Sequence, residues 1–489
     1  MEFMNLLADV PISLVGESFE ISLNWIGRLV KGIISSGVGV GIGIILFSLI
    51  LKVIVLPFDI FQRISMRKQN IKMKENKDKM EKLQKQYAND KKMYNQKLME
   101  LQKQSGMSLL SSCLPMILSL VIFFVAIGAF NAYAKYSSVD NYNTLVDKYS
   151  TAVKEYVVDL DADDTTYVLQ DKNIIVKQAN ANKVIYASVA LSDEKAAALA
   201  TADEKALETE VKSYNDLHAR MMIDVEKAKG HAEIAAVVHF EEENYGEQLV
   251  NFFEAKGAAA AEKSYKEEVS AKTKFLWIKN VWATDASYKH PVLSHEDFLK
   301  EIAAASCGSS CSSNGKFLIE NEATGEKEEI TISSDGALIK DNVALTNVYE
   351  KNIYNKVTAN LGEQKDQANG YYILIVLSIG TILLQQFVMM HSQKEQQKYS
   401  SVDGQAASTQ KMTMIIMTIM FGVFSFMYSS AFSIYMIMSN LFSLVSTLII
   451  NKCVDVAEHK REQKALQEKY NKRLPKYRQN NDDKGKKHK

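Results

Sequence analysis

The chain of 489 residues is poor in the residues that staple, punctuate or catalyse: it has 4 Cys, none before Cys113, and 5 Pro. So few cysteines exclude a disulfide-stapled miniprotein. With 47% hydrophobic and 24% charged residues, disorder and a collagen-like fibre are excluded as well. No HExxH, P-loop or nucleophile triad occurs, and His295-Glu296 lacks the second His of a zinc-protease helix. Catalysis and a cofactor are therefore not expected. Met1 is followed by Glu2, so the basic region and cleavage site of a secretory signal are missing, and targeting is expected to reside in the apolar runs. Net charge is lacking too, with 58 basic against 58 acidic side chains, which would argue against polyanionic partners. That argument fails once the charges are located.

Residues 38–58, 108–133, 371–390 and 411–450 are long, apolar and free of acidic side chains. A hydrocarbon core of about 30 Å takes about 20 helical residues, and the last run, broken at Ser429-Ser430, fits two antiparallel crossings. Five transmembrane helices follow, with the termini on opposite sides. Residues 59–107 carry 13 Lys/Arg against 6 Asp/Glu, residues 452–489 again 13 against 6, and 394–411 carry 3 against 2. Residues 134–369 hold 26 basic and 40 acidic side chains. Basic loops stay in the cytoplasm, so the N-terminus and 134–369 are expected outside and the tail inside a bacterial cell membrane. The expected division is an outer N-terminus 1–35, spans at 36–58, 108–133, 370–393, 411–429 and 430–451, a cytoplasmic hairpin 59–107, an outer domain 134–369, a cytoplasmic loop 394–410 and a basic tail 452–489.

Within 17–34, Ile21, Trp25, Leu29 and Ile33 recur every fourth residue, the pattern of an amphipathic helix lying on the outer surface. The first span opens with Gly37, Gly39, Gly41 and Gly43, spaced for close helix approach and not for a dinucleotide loop. Deeper in the same span stands Lys52, with Ser48 one turn earlier. A charge at the bilayer centre costs at least about 2.5 kcal/mol, so Lys52 is either a snorkelling anchor or a cation facing a water-filled cavity. The other spans offer uncharged polar groups: Ser119 in the second, Gln385 and Gln386 in the third, Thr418 and Ser425 in the fourth, and Tyr435, Ser439, Asn440 and Ser443 in the fifth. Such hydroxyls either glue helices together or line a hydrated groove around the lysine.

In 62–106, Met66, Met73, Met80 and Tyr87 are spaced by seven, Asp90 is positioned as a helix cap, and Tyr94 and Leu101 are again seven apart. Two helices folded back on each other are expected, with the methionines as their seam.

At this point the residues carry a resemblance. Lys52 five residues before Pro57, Tyr87-x-Asn89-Asp90, Cys113-Leu114-Pro115, Phe275-Leu276-Trp277-Ile278 with Asp285, and Tyr371-Tyr372-Ile373-Leu374 running into Gln385-Gln386 form an ordered set. It continues with Met420-Phe421-Gly422, Phe424-Ser425-Phe426, and Tyr435 with Ser439-Asn440-Leu441. The set resembles the YidC-type membrane protein insertases over roughly half of the chain. The resemblance implies an all-α polytopic membrane protein of five transmembrane helices with a cytoplasmic helical hairpin, plus an inserted extracellular α+β domain. It implies a groove open to cytoplasm and lipid, working without nucleotide hydrolysis on nascent membrane proteins, with a Sec translocon as a further partner. Family members usually have Arg at the position of Lys52, which keeps the charge and loses the planar fork.

Outside the membrane the sequence departs from ordinary members by long insertions. Thr201-x-x-Glu204 and Ser294-x-x-Asp297 read as capping boxes, and 174–176, 184–189, 317–319 and 330–332 as strands. Cys307 and Cys311 are candidates for a local disulfide, with free thiols or a zinc site shared with His290 and His295 as alternatives. The basic tail, ending in Lys484 to Lys489, reads as a contact for ribosomal RNA or anionic lipid, or as a plain positive-inside anchor. A second functional class, a multi-span surface receptor or adhesin using 134–369, leaves Lys52 and the hairpin unexplained.

Overall fold

The computed structural model describes residues 6–11, 23, 25–34, 37, 39–104, 109–154, 164–178, 185–213, 220–305, 316–320, 327–332, 338–340, 343–344, 348–392 and 405–473. Its main helices are α1 (Trp25–Ile34), α2 (Val40–Glu75), α3 (Lys77–Gln86), α4 (Lys91–Gln104), α5 (Leu109–Lys154), α6 (Asp193–Leu199), α7 (Glu204–Ser213), α8 (Tyr245–Ser264), α9 (His295–Ala305), α10 (Lys351–Val357), α11 (Ile373–Ser392), α12 (Gln405–Met427) and α13 (Ser430–Arg473). The chain forms two compact units, one of residues 41–128 with 372–489 and one of residues 1–40 with 129–371.

In the first of these units, three stretches among the described residues are long and apolar enough to cross a membrane: Val40–Phe61, Ile373–His391 and Ser430–Cys453. The apolar part of α12, Met414–Met427, is shorter. The expected second span falls in α5, whose side chains before residue 121 lie outside the described residues. The break expected at Ser429-Ser430 is present, since α12 stops at Met427 and α13 starts at Ser430. Aromatic rings pack the helices here: Phe123 meets Phe421 at 4.9 Å and Phe432 at 5.8 Å between centroids. Pro57 sits inside α2, where it removes a backbone donor from the helix ladder.

The hairpin forms as α3 and α4 joined by a turn at Tyr87–Asn89. Asp90 acts as the cap, its Oδ1 accepting the Met93 N–H at 3.0 Å. Met80 is buried, as a seam residue should be. The first arm is not one helix, because the backbone turns at Asn76 between α2 and α3. Met66 and Met73 have side chains outside the described residues.

The other unit holds a five-stranded antiparallel sheet in the order β1-β5-β4-β3-β2, with β1 Leu6–Pro11, β2 Thr165–Gln170, β3 Asn173–Gln178, β4 Ile185–Ala190 and β5 Arg220–Asp224. β2 and β3 form a hairpin whose turn residue Asp171 takes φ +53°, a conformation that Asp tolerates better than most residues. Apolar residues of this sheet, Tyr167, Ile174 and Val176, pack with Leu207 and Val211 of α7. The strands expected at 174–176 and 184–189 are β3 and β4. The N-terminal strand β1 was not expected, and it pairs Val10 with Met221 and Asp9 with Met222.

The Thr201 capping box fails: Asp203 Oδ1 accepts the Ala206 N–H at 3.0 Å, and Glu204 instead accepts the Tyr167 N–H at 2.9 Å. An aspartate directly before the helix outcompetes a threonine two residues further out. The Ser294 box holds, with Ser294 Oγ accepting the Asp297 N–H at 3.2 Å and donating to Asp297 Oδ2 at 3.0 Å. A four-stranded sheet follows in the order β6-β7-β8-β9, with β6 Lys316–Glu320, β7 Lys327–Ile332, β8 Leu338–Lys340 and β9 Val343–Ala344. The expected pairing of 317–319 with 330–332 is its first hairpin, and Thr324-Gly325 lies outside the described residues.

A larger core joins the part of α5 after residue 138 to α8, α9 and α10, with Tyr142, Leu249, Phe253, Phe298 and Tyr354 buried. α8 approaches α5 at Gly257, where an added Cβ would stand 2.8 Å from the Tyr149 ring and 2.9 Å from Val153. Gly257→Val is accordingly expected to destabilise this unit by about 3 kcal/mol through overpacking, read as a lower midpoint in thermal unfolding, while Gly230→Val, with open space around it, shows no comparable fall.

Candidate functional site

Lys52 lies on the apolar α2, half-buried, and its Nζ donates to Ser443 Oγ of α13 at 3.2 Å. No ion pair of Lys52 occurs among the described residues. An ammonium has three donors, of which the Ser443 hydroxyl uses one, and the Asp59 carboxylate two turns on in the same helix acts on it electrostatically. Ser48, buried one turn earlier, spends its proton on its own helix at Ile44 O, 2.6 Å away. The backbone carbonyl of Ser443 accepts from both Ser446 Oγ at 3.0 Å and Thr447 Oγ1 at 2.5 Å.

The remaining polar residues tie α11 to its neighbours. Thr418 Oγ1 donates to Gln386 Oε1 at 3.0 Å, Ser425 and Ser378 share a hydrogen bond of 3.0 Å, and Asn440 Nδ2 donates to Thr381 Oγ1 at 3.3 Å. Gln385 is half-buried, and Tyr435, Ser439 and Asn440 are buried along α13. Of the two sequence readings of these hydroxyls, helix-to-helix bonding describes Thr418, Ser425 and Asn440. Sequence reasoning missed Ser378 and Thr381, although their i, i+3 spacing ahead of Gln385 was a usable signal. Ser119 has its side chain outside the described residues.

A second constellation gathers around the Phe275–Ile278 motif. Phe275 and Ile278 exchange backbone hydrogen bonds across a turn in which Leu276 takes φ +54°. The strap 367–371 closes against the loop that follows. Asn369, fully buried, uses all its polar groups: Oδ1 accepts the Asn280 N–H at 2.7 Å, Nδ2 donates to the carbonyls of Asn280 and Thr284 at 2.9 Å each, its N–H donates to Lys289 O at 2.7 Å, and its carbonyl accepts the Lys279 N–H at 3.2 Å. Asp285, also fully buried, accepts the Tyr371 N–H at 2.7 Å. The backbone of Gly370 passes so close that an added Cβ would fall 1.8 Å from Asp285 Oδ1. Asp285 and Tyr371 had been singled out in the sequence, whereas Asn369 and Gly370 had not.

His290 and His295, the imidazoles of the zinc alternative, contact the carbonyls of Gln367 at 3.1 Å and Tyr349 at 2.8 Å. Cys307 and Cys311 lie outside the described residues, and no cluster placed to hold a metal occurs among the described ones. Burial pushes the Tyr265 phenol up to about 12 and raises the Glu301 carboxyl above its usual range, against the pull of Lys135 and Lys289. A carboxyl raised by folding binds its proton more tightly in the folded state. Its penalty is absent below the unfolded value and grows as pH rises through the folded one. Glu301→Gln is therefore expected to raise the midpoint of thermal unfolding near pH 7 and to leave it unchanged near pH 4.

Comparison with known proteins places these features in context. A model of the family described as 60Kd inner membrane protein matches residues 33–189 and 343–460, more than half of the chain. A protein of Fusobacterium nucleatum named membrane protein insertase YidC is 39% identical over 88 residues, covering 18% of this chain and 41% of its own length. Its namesake in Caldanaerobacter subterraneus is 28% identical over 146 residues, covering 29% of this chain and 67% of its own. Another in Clostridium perfringens is 33% identical over 105 residues, covering 21% and 42%. The chain thus spans between about two-fifths and two-thirds of the length of these relatives. No solved structure matches it.

Proposed function

The chain belongs to the 60Kd inner membrane protein family, and from that premise we propose that it is a membrane protein insertase of the bacterial cell membrane, acting through a polar groove around Lys52 without nucleotide hydrolysis. The observation that carries this reading is Lys52 itself, a half-buried cation in an apolar helix whose hydrogen-bond partner among the described residues is one serine hydroxyl. A carboxylate in the outward-going tail of a nascent client supplies the charge that Ser443 cannot. At 4 Å and an effective dielectric near 20 that attraction is about 4 kcal/mol before desolvation. The client's apolar segment then partitions into lipid past the third and fifth spans, a step driven by transfer of apolar surface and needing no bond chemistry.

Five spans and an outside N-terminus belong to the same proposal. β1 and β5 lie on either side of the first two apolar runs in the sequence, yet they pair in one sheet, which supports the N-terminal tail and the large insertion sharing one side of the membrane. The hairpin of α3 and α4 meets clients in the cytoplasm, and a Sec translocon is a further partner. α13 continues as a helix to Arg473 and carries the basic tail toward ribosomal RNA or anionic lipid.

Site-specific capture tests the groove. A cysteine at Ser443 is expected to form a disulfide with a cysteine in the acidic tail of a ribosome-stalled single-span client, and a cysteine at the exposed Val423 is not. Equal capture at both positions would remove the groove from the account.

A further inference from the structure

α5 leaves its apolar run at Tyr133 and continues to Lys154, and a second helical stretch returns beside it. That stretch is α8, followed by a π-helical turn, Tyr265–Val269, and a last turn, Ser270–Thr273. Gly257 meets Tyr149 and Val153, whereas Tyr265 and Val269 share a cavity wall with Asn141, Tyr142 and Leu145. Contacts that step down α5 as they step along α8 make the two antiparallel, so the chain after Val269 heads back toward Tyr133. Asn141 stands about 12 Å along the helix from Tyr133, a distance the seven residues from Val269 to Leu276 can cover. Trp282 marks the arrival, its ring centroid 4.6 Å from that of Tyr133, and Lys31 of α1 reaches the same level by donating to Tyr136 Oη at 2.5 Å. All of these contacts lie inside the unit of residues 1–40 and 129–371.

What this end of the unit exposes is apolar, aromatic and basic. Leu276, at the tip of the turn, is 62% exposed although its φ of +54° is one that a branched side chain rarely adopts. The bonds between Phe275 and Ile278, and from the Val281 N–H to Thr273 O at 2.9 Å, hold the turn in place. Glycine or asparagine would make the same turn without strain, and the unit's own packing gives no reason for an outward leucine. Trp25 of α1 is 75% exposed and Tyr371 of the strap 61%. Segments 25–34, 270–290 and 367–371 carry six basic side chains, Arg28, Lys31, Lys272, Lys274, Lys279 and Lys289, against one acidic side chain, the buried Asp285. Over 134–369 as a whole acidic residues outnumber basic ones by 40 to 26, so the sign of charge reverses here. Exposed aromatic and aliphatic side chains among lysines fit the boundary of an anionic bilayer, and the apolar run that ends at Tyr133 brings the bilayer to this level.

We propose that the Phe275–Ile278 turn is a lipid wedge: Leu276 enters the outer leaflet between headgroups and acyl chains, and Lys274 and Lys289 hold anionic headgroups beside it. The inference goes beyond the insertase reading and rests on the placement of this unit outside the membrane, not on the groove around Lys52.

The test reads where the turn sits. In the full chain with its four cysteines replaced by serine, Leu276→Cys or Val237→Cys is labelled with an environment-sensitive fluorophore and reconstituted into vesicles of three parts phosphatidylglycerol to seven of phosphatidylcholine. Val237 is the reference: it is exposed in the same unit, and the neighbouring His239 N–H is held by Gln248 at the start of α8, which lies about 40 Å of helix from Thr273. Nitroxide on the lipid chains is expected to quench the label at 276 at least threefold more than at 237, and iodide on both sides of the bilayer to do the reverse. Lys274→Glu combined with Lys289→Glu is expected to lower the lipid quenching at 276 at least twofold in these vesicles and to leave it unchanged in pure phosphatidylcholine. A label at 276 quenched by iodide as strongly as at 237, or shielded from both quenchers by protein, would overturn the wedge. Adding Lys52→Leu is expected to leave the quenching as it was, so the wedge and the groove fail separately.

Discussion

Lys52→Leu is expected to reduce insertion of a single-span client bearing an acidic outward tail by tenfold or more, with Lys52→Arg retaining most of the activity. The physical argument runs through the surroundings of the ammonium. It stands on an apolar helix with Ser443 Oγ at 3.2 Å. An ion so placed is costly unless something uses it, and leucine removes the charge while keeping the apolar bulk. Tenfold corresponds to about 1.4 kcal/mol, a modest fraction of the attraction available to a carboxylate in a partly desolvated site, and so a conservative expectation. Arginine keeps the charge and adds donors, so a client carboxylate still finds its partner. The effect is also expected to follow the client: a neutral tail should show little difference between Lys52 and Leu. If both variants insert an acidic client as well as the parent, Lys52 is an anchor that snorkels to the cytoplasmic surface.

Gly370→Ala is expected to cost the unit of residues 1–40 and 129–371 about 3 kcal/mol or more, seen as a lowered midpoint of thermal unfolding and early proteolysis. Its Cβ would sit 1.8 Å from Asp285 Oδ1, a distance no relaxation of a rotamer alone relieves, because Asp285 is fully buried and fixed by the Tyr371 N–H at 2.7 Å. Either the backbone moves and the bonds of Asn369 lengthen, or the carboxylate turns away and loses the Tyr371 N–H. Gly362→Ala is the matched control, since nothing stands within 4 Å of its added Cβ. Equal midpoints for the two variants would show that the strap yields easily.

Much of this architecture is legible in the sequence where a single period decides. Lys52 and Ser443 could be named because a charge and a four-residue hydroxyl stripe stand out in apolar helices, although nothing in the spacing says that these two meet. The hairpin followed from its seven-residue repeat and from Asp90 ahead of a helix. Its break at Asn76 did not, because asparagine interrupts a helix only by a small propensity penalty that the sequence context can override. β1 was invisible for a different reason. Six residues, Leu-Leu-Ala-Asp-Val-Pro, form a strand only by pairing with Arg220–Asp224, and contacts over such sequence separation leave no local pattern. Asn369 and Gly370 read as an ordinary turn dipeptide. Their importance comes from carbonyls of residues about 80 to 90 positions earlier, which no local signal announces.

The most direct test of the account is reconstitution of the purified chain into liposomes, free of nucleotide and of any translocon, with protease protection of an acidic-tailed single-span client as the readout. The account predicts protected client well above that in empty liposomes, and its loss with Lys52→Leu. Protection no greater than in empty liposomes, from a chain shown to be folded and correctly oriented, would contradict it.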